Sequence, residues 1–167
     1  MTTVRHLLGA GGRWFVPAVL ALGLLAEVAI YRAGLADQPI RSDGVSYYVY
    51  LPSVLLHGSP DLSALAADTY GGHFPGFTGI REWPNTSAWL NPHPIGVAIL
   101  MAPFFLVAHV LTLWSNLPPD GFSRYYQIAA AVSGLCYGAA GLWLLQQLLA
   151  RHAGAGVALA TVACITF

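Results

Sequence analysis

Two long intervals of this chain contain no Asp, Glu, Lys or Arg: Trp83 to Pro119 and Tyr125 to Ala150. A water-facing surface is built largely from such side chains, which make up roughly a quarter of an average soluble domain. Here they are 8% of 167 residues, against 56% hydrophobic. A chain this poor in charge cannot clothe itself for water, so the sequence predicts an all-α, integral membrane helical protein. Seven basic residues, all arginine, balance seven acidic ones. That balance excludes a basic nucleic-acid binder and an acidic disordered tail.

The apolar runs divide the chain. Trp14 to Ala33 is about twenty residues, enough at 1.5 Å each for a bilayer core, and reads as a retained transmembrane helix rather than a cleaved signal. Glu27 falls inside it, where an ionisable group is costly and often functional. Pro94 to Trp114 is apolar enough to enter a bilayer and contains Pro103 and His109. The run 125–150 is the cleanest membrane helix, with Gly134 and Gly138 forming a GxxxG face beside Ala130. Cys136 and Cys164 lack the spacings of redox or metal sites and are expected to be small buried hydrophobes. A last apolar run, Ala153 to Phe167, is too short to cross comfortably, so the chain is expected to be the N-terminal part of a larger membrane protein.

Residues 34–93 are polar and aromatic, and too many for a simple connector. Val45 to Leu56 is predicted as a short helix at the membrane surface, with Tyr47, Tyr48 and Tyr50 at headgroup level. Ser59-Pro60-Asp61 predicts a helix start capped by Ser59, and Gly71-Gly72 its end. From His73 to Asn91 the prediction is irregular loop. The positive-inside rule puts Arg5 and Arg13 in the cytoplasm and this loop outside. A 94–115 segment that is re-entrant or interfacial, rather than crossing, returns Arg151 to the inside and is the slightly preferred arrangement.

Three segments carry chemistry. The loop opens Arg41-Ser42-Asp43-Gly44-Val45-Ser46-Tyr47-Tyr48-Val49-Tyr50-Leu51-Pro52; Asn91-Pro92-His93-Pro94-Ile95-Gly96 precedes Ala102-Pro103-Phe104-Phe105; and Asp120-Gly121-Phe122-Ser123-Arg124-Tyr125-Tyr126-Gln127 leads into the second long helix. Aromatic rings beside carboxylates suit carbohydrate. Arg41, Arg81 and Arg124 are the loop arginines whose guanidinium forks match phosphate. Tyr47/Tyr48 and Trp83/Trp89 can stack sugars or form an interfacial aromatic belt. His73 and His93 are open to proton transfer or structural roles. No two histidines stand at an i, i+4 spacing, so no metal ligands and no cofactor are assigned, and a divalent metal lacks support.

The order of these segments resembles the N-terminal part of multi-spanning GT-C glycosyltransferases, the broad group of protein O-mannosyltransferases and lipid A aminoarabinose transferases. The likeness lies in a first-loop DGxxYYxYLPS segment at Asp43 to Ser53, an N-x-x-x-IG…PFF segment at Asn91 to Phe105, and DGxSxxYQ at Asp120 to Gln127. It implies transfer of a sugar from a polyprenyl-phosphate carrier to a glycan, lipid or protein acceptor on the outer face of a membrane, with no nucleic acid involved. It implies that Asp43, the acidic residue of the first outer loop, is the catalytic base or acceptor-orienting group. The candidate substrate-binding set is Arg41, Tyr47, Tyr48, His93, Asp120 and Arg124. The second acidic site and the remaining helices of such enzymes are missing, so activity of the chain alone is not expected. Two other readings compete: a transporter or lipid-linked-sugar flippase subunit, which suits Glu27 and the broken apolar segments, and a small scaffold protein that dimerises through Gly134 and Gly138.

Overall fold

The computed structural model describes residues 2–33 and 39–166; Asp37 and the side chains of Arg5 and Arg13 lie outside the described residues. The protein is mostly helical, with α1 (Thr2–Arg32), α2 (Asp43–Tyr48), α3 (Tyr50–Leu56), α4 (Ser63–Tyr70), α5 (Gly96–Leu113), α6 (Arg124–His152) and α7 (Ala155–Thr166). Its strands, β1 (Arg81–Glu82) and β2 (Trp89–Leu90), form one short antiparallel hairpin. Among the described residues two helices, the 18-residue α5 and the 29-residue α6, are long and apolar enough to cross a membrane. The chain divides into two compact units, residues 1–35 with 134–167, and residues 36–133.

In the first unit α1 packs against α7. The helix α1 begins at Thr2, well before the predicted Trp14, and runs through Pro17. Gly154, at φ 87, ends α6 and lets α7 start. Gly23 sits tightly against Leu135: a Cβ there would lie 2.8 Å from the Leu135 Cδ2. Gly134 and Gly138 are different, since an added Cβ on either meets nothing within 4 Å. Cys136 and Cys164 are exposed, contrary to the buried role expected of them. An apolar run does not by itself say which of its positions the fold covers, and these two fall on uncovered faces of α6 and α7.

The second unit has its own core. Val45, Tyr48, Val49, Leu51, Leu62, Leu65, Phe74, Ile80, Phe105 and Tyr126 are buried together. The predicted helix over Val45 to Leu56 is present but divided. Pro52 has no N–H to give the Tyr48 carbonyl, so the ladder is broken between α2 and α3 while Val49 keeps helical dihedrals, φ −58 and ψ −21. The α4 start is a correction: Ser59 does not cap it. The helix opens at Ser63, where the Asp61 carboxylate accepts the Ser63 hydroxyl at 2.7 Å and its N–H at 3.4 Å. Its end falls at Gly71, left-handed at φ 64, as predicted. The predicted irregular loop contains a 3-10 turn, Gly76–Thr78, and the β1–β2 hairpin. A type II turn closes that hairpin, with Pro84 setting the bend, Asn85 at φ 63, and the Thr86 N–H donating to the Trp83 carbonyl at 3.1 Å.

Candidate functional site

The site is built on α2. Its inner face, Val45, Ser46 and Tyr48, is buried. Three long-range bonds pin that face. The Ser46 hydroxyl donates to the Thr78 carbonyl at 2.6 Å, the Asn91 side-chain amide donates to the Ser46 carbonyl at 2.7 Å, and the Tyr48 hydroxyl donates to the Gly121 carbonyl. A short helix would fray alone; here each anchor joins it to a different stretch of chain. Burial drives the Tyr48 phenol far above its ordinary range, with Tyr126, Asp120 and Tyr70 adding to the effect, so it stays protonated and remains a donor. Burial also pushes the Tyr70 phenol up to about 12 and raises Tyr50.

The outer face of α2 begins with Asp43, which is exposed. Among the described residues its carboxylate has no hydrogen-bond or ion-pair partner. Ser42, just before it, holds φ 52 and ψ −135, a conformation that costs a non-glycine residue about 1–3 kcal/mol. That bend turns the chain into α2, and the Gly44 N–H closes the turn on the Arg41 carbonyl at 2.9 Å. Arg41 is exposed beside it. Tyr47 stands one helical turn after Asp43 and shares its side of the helix.

His93 is fixed beside Tyr47 by three contacts. Its ring packs edge-on against the Tyr47 ring at 4.6 Å between centroids. Its backbone N–H donates to Asn91 Oδ1 at 3.0 Å, and its carbonyl accepts the Tyr50 hydroxyl at 3.0 Å. Among the described residues His93 Nδ1 is buried without a partner.

No protein-family model, curated protein or solved structure matches the chain. What the site can do is read from its own side chains.

The structure therefore brings Tyr47 and His93 together on a ledge that Asp43 opens one helical turn earlier, with Arg41 exposed two residues before Asp43. Three expected site residues take other positions. Tyr48 is 2% exposed and faces the core, so it supports the ledge from beneath and cannot lie at a headgroup level or stack a sugar. Asp120 spends one carboxylate oxygen on the N–H groups of Phe122 and Ser123, both at 2.7 Å, closing the turn that leads into α6. Arg124 is exposed in the first turn of α6 and is engaged within the fold. Sequence reading passed over Asn91 as a clamp and Gln127 as a tie. The Gln127 side chain accepts the Ile40 N–H at 2.9 Å and donates to the Phe122 carbonyl at 3.1 Å, joining the entry of the unit to the start of α6. A Gln and an Asn beside apolar runs are the signal that was available, since buried amides need partners. Among the described residues no three His, Cys, Asp or Glu side chains come together as a metal site.

Proposed function

We propose that residues 39–133 form the water-side head of a membrane glycosyltransferase that uses a polyprenyl-phosphate-linked sugar. The observation that carries this reading is the Asp43 carboxylate, exposed and without a partner among the described residues, on a helix whose opposite face is anchored at three points. A base must be both accessible and held still, and such a carboxylate is placed to accept the proton of an acceptor hydroxyl. The hydroxyl oxygen then attacks the anomeric carbon, the bond from that carbon to the phosphate oxygen breaks, and the carrier leaves as polyprenyl phosphate. A single displacement inverts the anomeric centre. Arg41 offers a guanidinium fork to the departing phosphate. The His93 and Tyr47 rings line the sugar's approach.

The packing of α5 supports a one-sided head. The segment before it is held to α2 and α3 through Asn91 and Tyr50, and the turn after it is held to the same pair through Gly121. The helix of 18 residues, about 27 Å long, is apolar enough to enter a membrane, and with its two ends tied to one helix pair a re-entrant course covered by that pair keeps both ends on one side. On this reading α6 is the crossing helix, the N-terminus is cytoplasmic, and the head faces outward from a plasma membrane such as the bacterial inner membrane.

The test is Asp43→Asn in the full-length protein in its own membranes, supplied with a panel of radiolabelled polyprenyl-phosphate pentoses and hexoses. Transfer is expected to fall by roughly 10²–10⁴-fold, the range for a positioned base. Transfer at the wild-type rate overturns the assignment. Glu27, exposed along the apolar length of α1, favours a second reading as a lipid-linked-sugar flippase. There Glu27→Gln stops transbilayer movement of the carrier and Asp43→Asn does not.

A further inference from the structure

The hairpin carries a second surface that the Asp43 ledge does not use. In the β1–β2 register Arg81 pairs with Leu90 and Glu82 with Trp89. Strand side chains alternate, so Arg81, Trp83 and Leu90 share one face while Glu82 and Trp89 take the other. Trp89 turns inward, its ring 5.2 Å from that of Phe74 in the core. The other face is thereby fixed, and a cavity of about 580 Å³ opens there, lined by Arg81, Trp83, Pro84 and Leu90 and reached from the strand's other side by Glu82.

The Trp83 indole is 51% exposed, yet its backbone is held at both polar groups: the N–H donates to the Ala88 carbonyl at 2.8 Å, and the carbonyl accepts both the N–H and the hydroxyl of Thr86, at 3.1 and 3.0 Å. It is a flat apolar platform on a rigid stem. The cavity also carries one guanidinium, Arg81, and one carboxylate, Glu82, both exposed and without an ion-pair partner among the described residues. A ligand for this cavity needs an apolar face for the ring and hydroxyls for both a donor and an acceptor. Opposite charges lining one cavity favour no net charge on the ligand. An anionic lipid headgroup would be attracted by Arg81 and repelled by Glu82.

We infer that the Arg81–Trp83–Leu90 face of the hairpin binds a neutral carbohydrate. Its identity as the acceptor glycan rests on the transfer reaction proposed above; binding itself does not. The two surfaces are joined by a short path. Thr78 receives the Ser46 hydroxyl and Arg81 follows three residues later, so the hairpin face begins within about 10 Å of α2.

The experiment uses the full-length protein in nanodiscs on an array of neutral oligosaccharides, followed by titration of any glycan retained. Binding is expected, weakened about tenfold or more in Trp83→Ala and in Arg81→Ala, and unchanged in Asp43→Asn. Retained binding in Asp43→Asn with lost transfer separates this site from the catalytic one, and binding with no transfer in any form leaves the site standing while the enzyme reading fails. Absence of binding to every neutral glycan, or binding unmoved by Trp83→Ala, overturns the inference. A direct measurement covers the case of a poorly folded variant. In a form keeping Trp83 as its single tryptophan, or in wild type against Trp83→Phe, quenching of Trp83 by headgroup spin-labelled lipid would make it a membrane anchor and overturn the inference as well.

Discussion

Tyr48 donates its hydroxyl proton to the carbonyl of Gly121, 73 residues further along the chain. The bond is buried and sits where α2, α5 and the turn before α6 meet. Tyr48 also touches Phe122 and Phe105, with ring centroids 5.6 and 6.0 Å away.

Tyr48→Phe keeps the ring and removes the donor. The Gly121 carbonyl is then buried without its partner, so stability is expected to fall by about 1–3 kcal/mol. Thermal unfolding of the purified protein reads the loss. The pH dependence follows from burial. Tyr48 and Tyr70 both ionise at higher pH in the folded state than the ordinary value of 10.0. Above pH 10 the unfolded chain has released these protons and the folded one retains them, so stability falls as pH rises. The stabilisation is full below about pH 10 and is lost from there through about 12 for Tyr70, with Tyr48 extending the decline. Tyr70→Phe is expected to flatten the slope between pH 10 and 12 in an alkaline melt.

Asn91 uses both ends of its amide, one on Ser46 and one on His93. Asn91→Ala is expected to cost about 1–3 kcal/mol, since it strands a carbonyl and an N–H together. Asn91→Asp is expected to be at least as damaging, because it turns a second oxygen toward the Ser46 carbonyl. Melting temperatures of the two variants decide it, and a mild Asp substitution would remove the clamp from this account.

The one-sided packing of α5 has a labelling consequence. After replacing the exposed Cys136 and Cys164 with alanine, single cysteines at Ser87 and Asn116 are expected to react with a membrane-impermeant maleimide from the same side. Reaction of Asn116→Cys only from the opposite side would show that α5 crosses. Ser123 is a poor probe position, because its hydroxyl is buried.

Glycines in this chain divide by their surroundings. Gly121 has φ 82, and a Cβ on it would lie 2.7 Å from the Pro52 Cβ. Gly121→Ala therefore combines backbone strain of about 1–2 kcal/mol with a clash that neither rigid neighbour can relieve. Gly134→Ala and Gly138→Ala meet open space in a helix and are expected to be neutral or to stabilise by about 0.5–1 kcal/mol. A loss of self-association in the latter pair, measured by crosslinking in membranes, would mark that face as an interface between copies.

The long helices were legible because a charge-free apolar run has few other uses, and α5, α6 and the end of α4 fell where turn and cap residues put them. The head was harder. Tyr47, Tyr48 and Tyr50 look alike as a cluster, and only the helical period separates them. Val45, Tyr48, Val49 and Pro52 stand at i, i+3, i+4 and i+7, and all four are buried. Read that way, Tyr48 belongs to the core and Tyr47 does not. The hairpin escaped because its strands are two residues long, too short for alternation to register, although Pro84-Asn85 announces its turn. At α4, Ser59 and Asp61 are equally good caps by residue type, and neither takes the position: both give their carbonyls to the Ser53 hydroxyl, which holds that stretch outside the helix, and Leu62 stands at the N-cap. Of the candidate site, Arg41, Asp43 and Tyr47 are neighbours in sequence, whereas His93 joins Tyr47 through Asn91 and Tyr50, whose contacts span more than forty residues and leave no local trace.

The Tyr48–Gly121 bond, with the Ile40–Gln127 bond beside it, also sets a timetable for biogenesis. A ribosome that has released residues 1–110 has already delivered Asp43, Tyr47 and His93, but α2 lacks the partner for its buried hydroxyl and Ile40 lacks its tie. The anchored form of α2 thus waits for residues 121–127, and a nascent chain arrested before them carries the Asp43 carboxylate on a short helix with nothing to hold it in place.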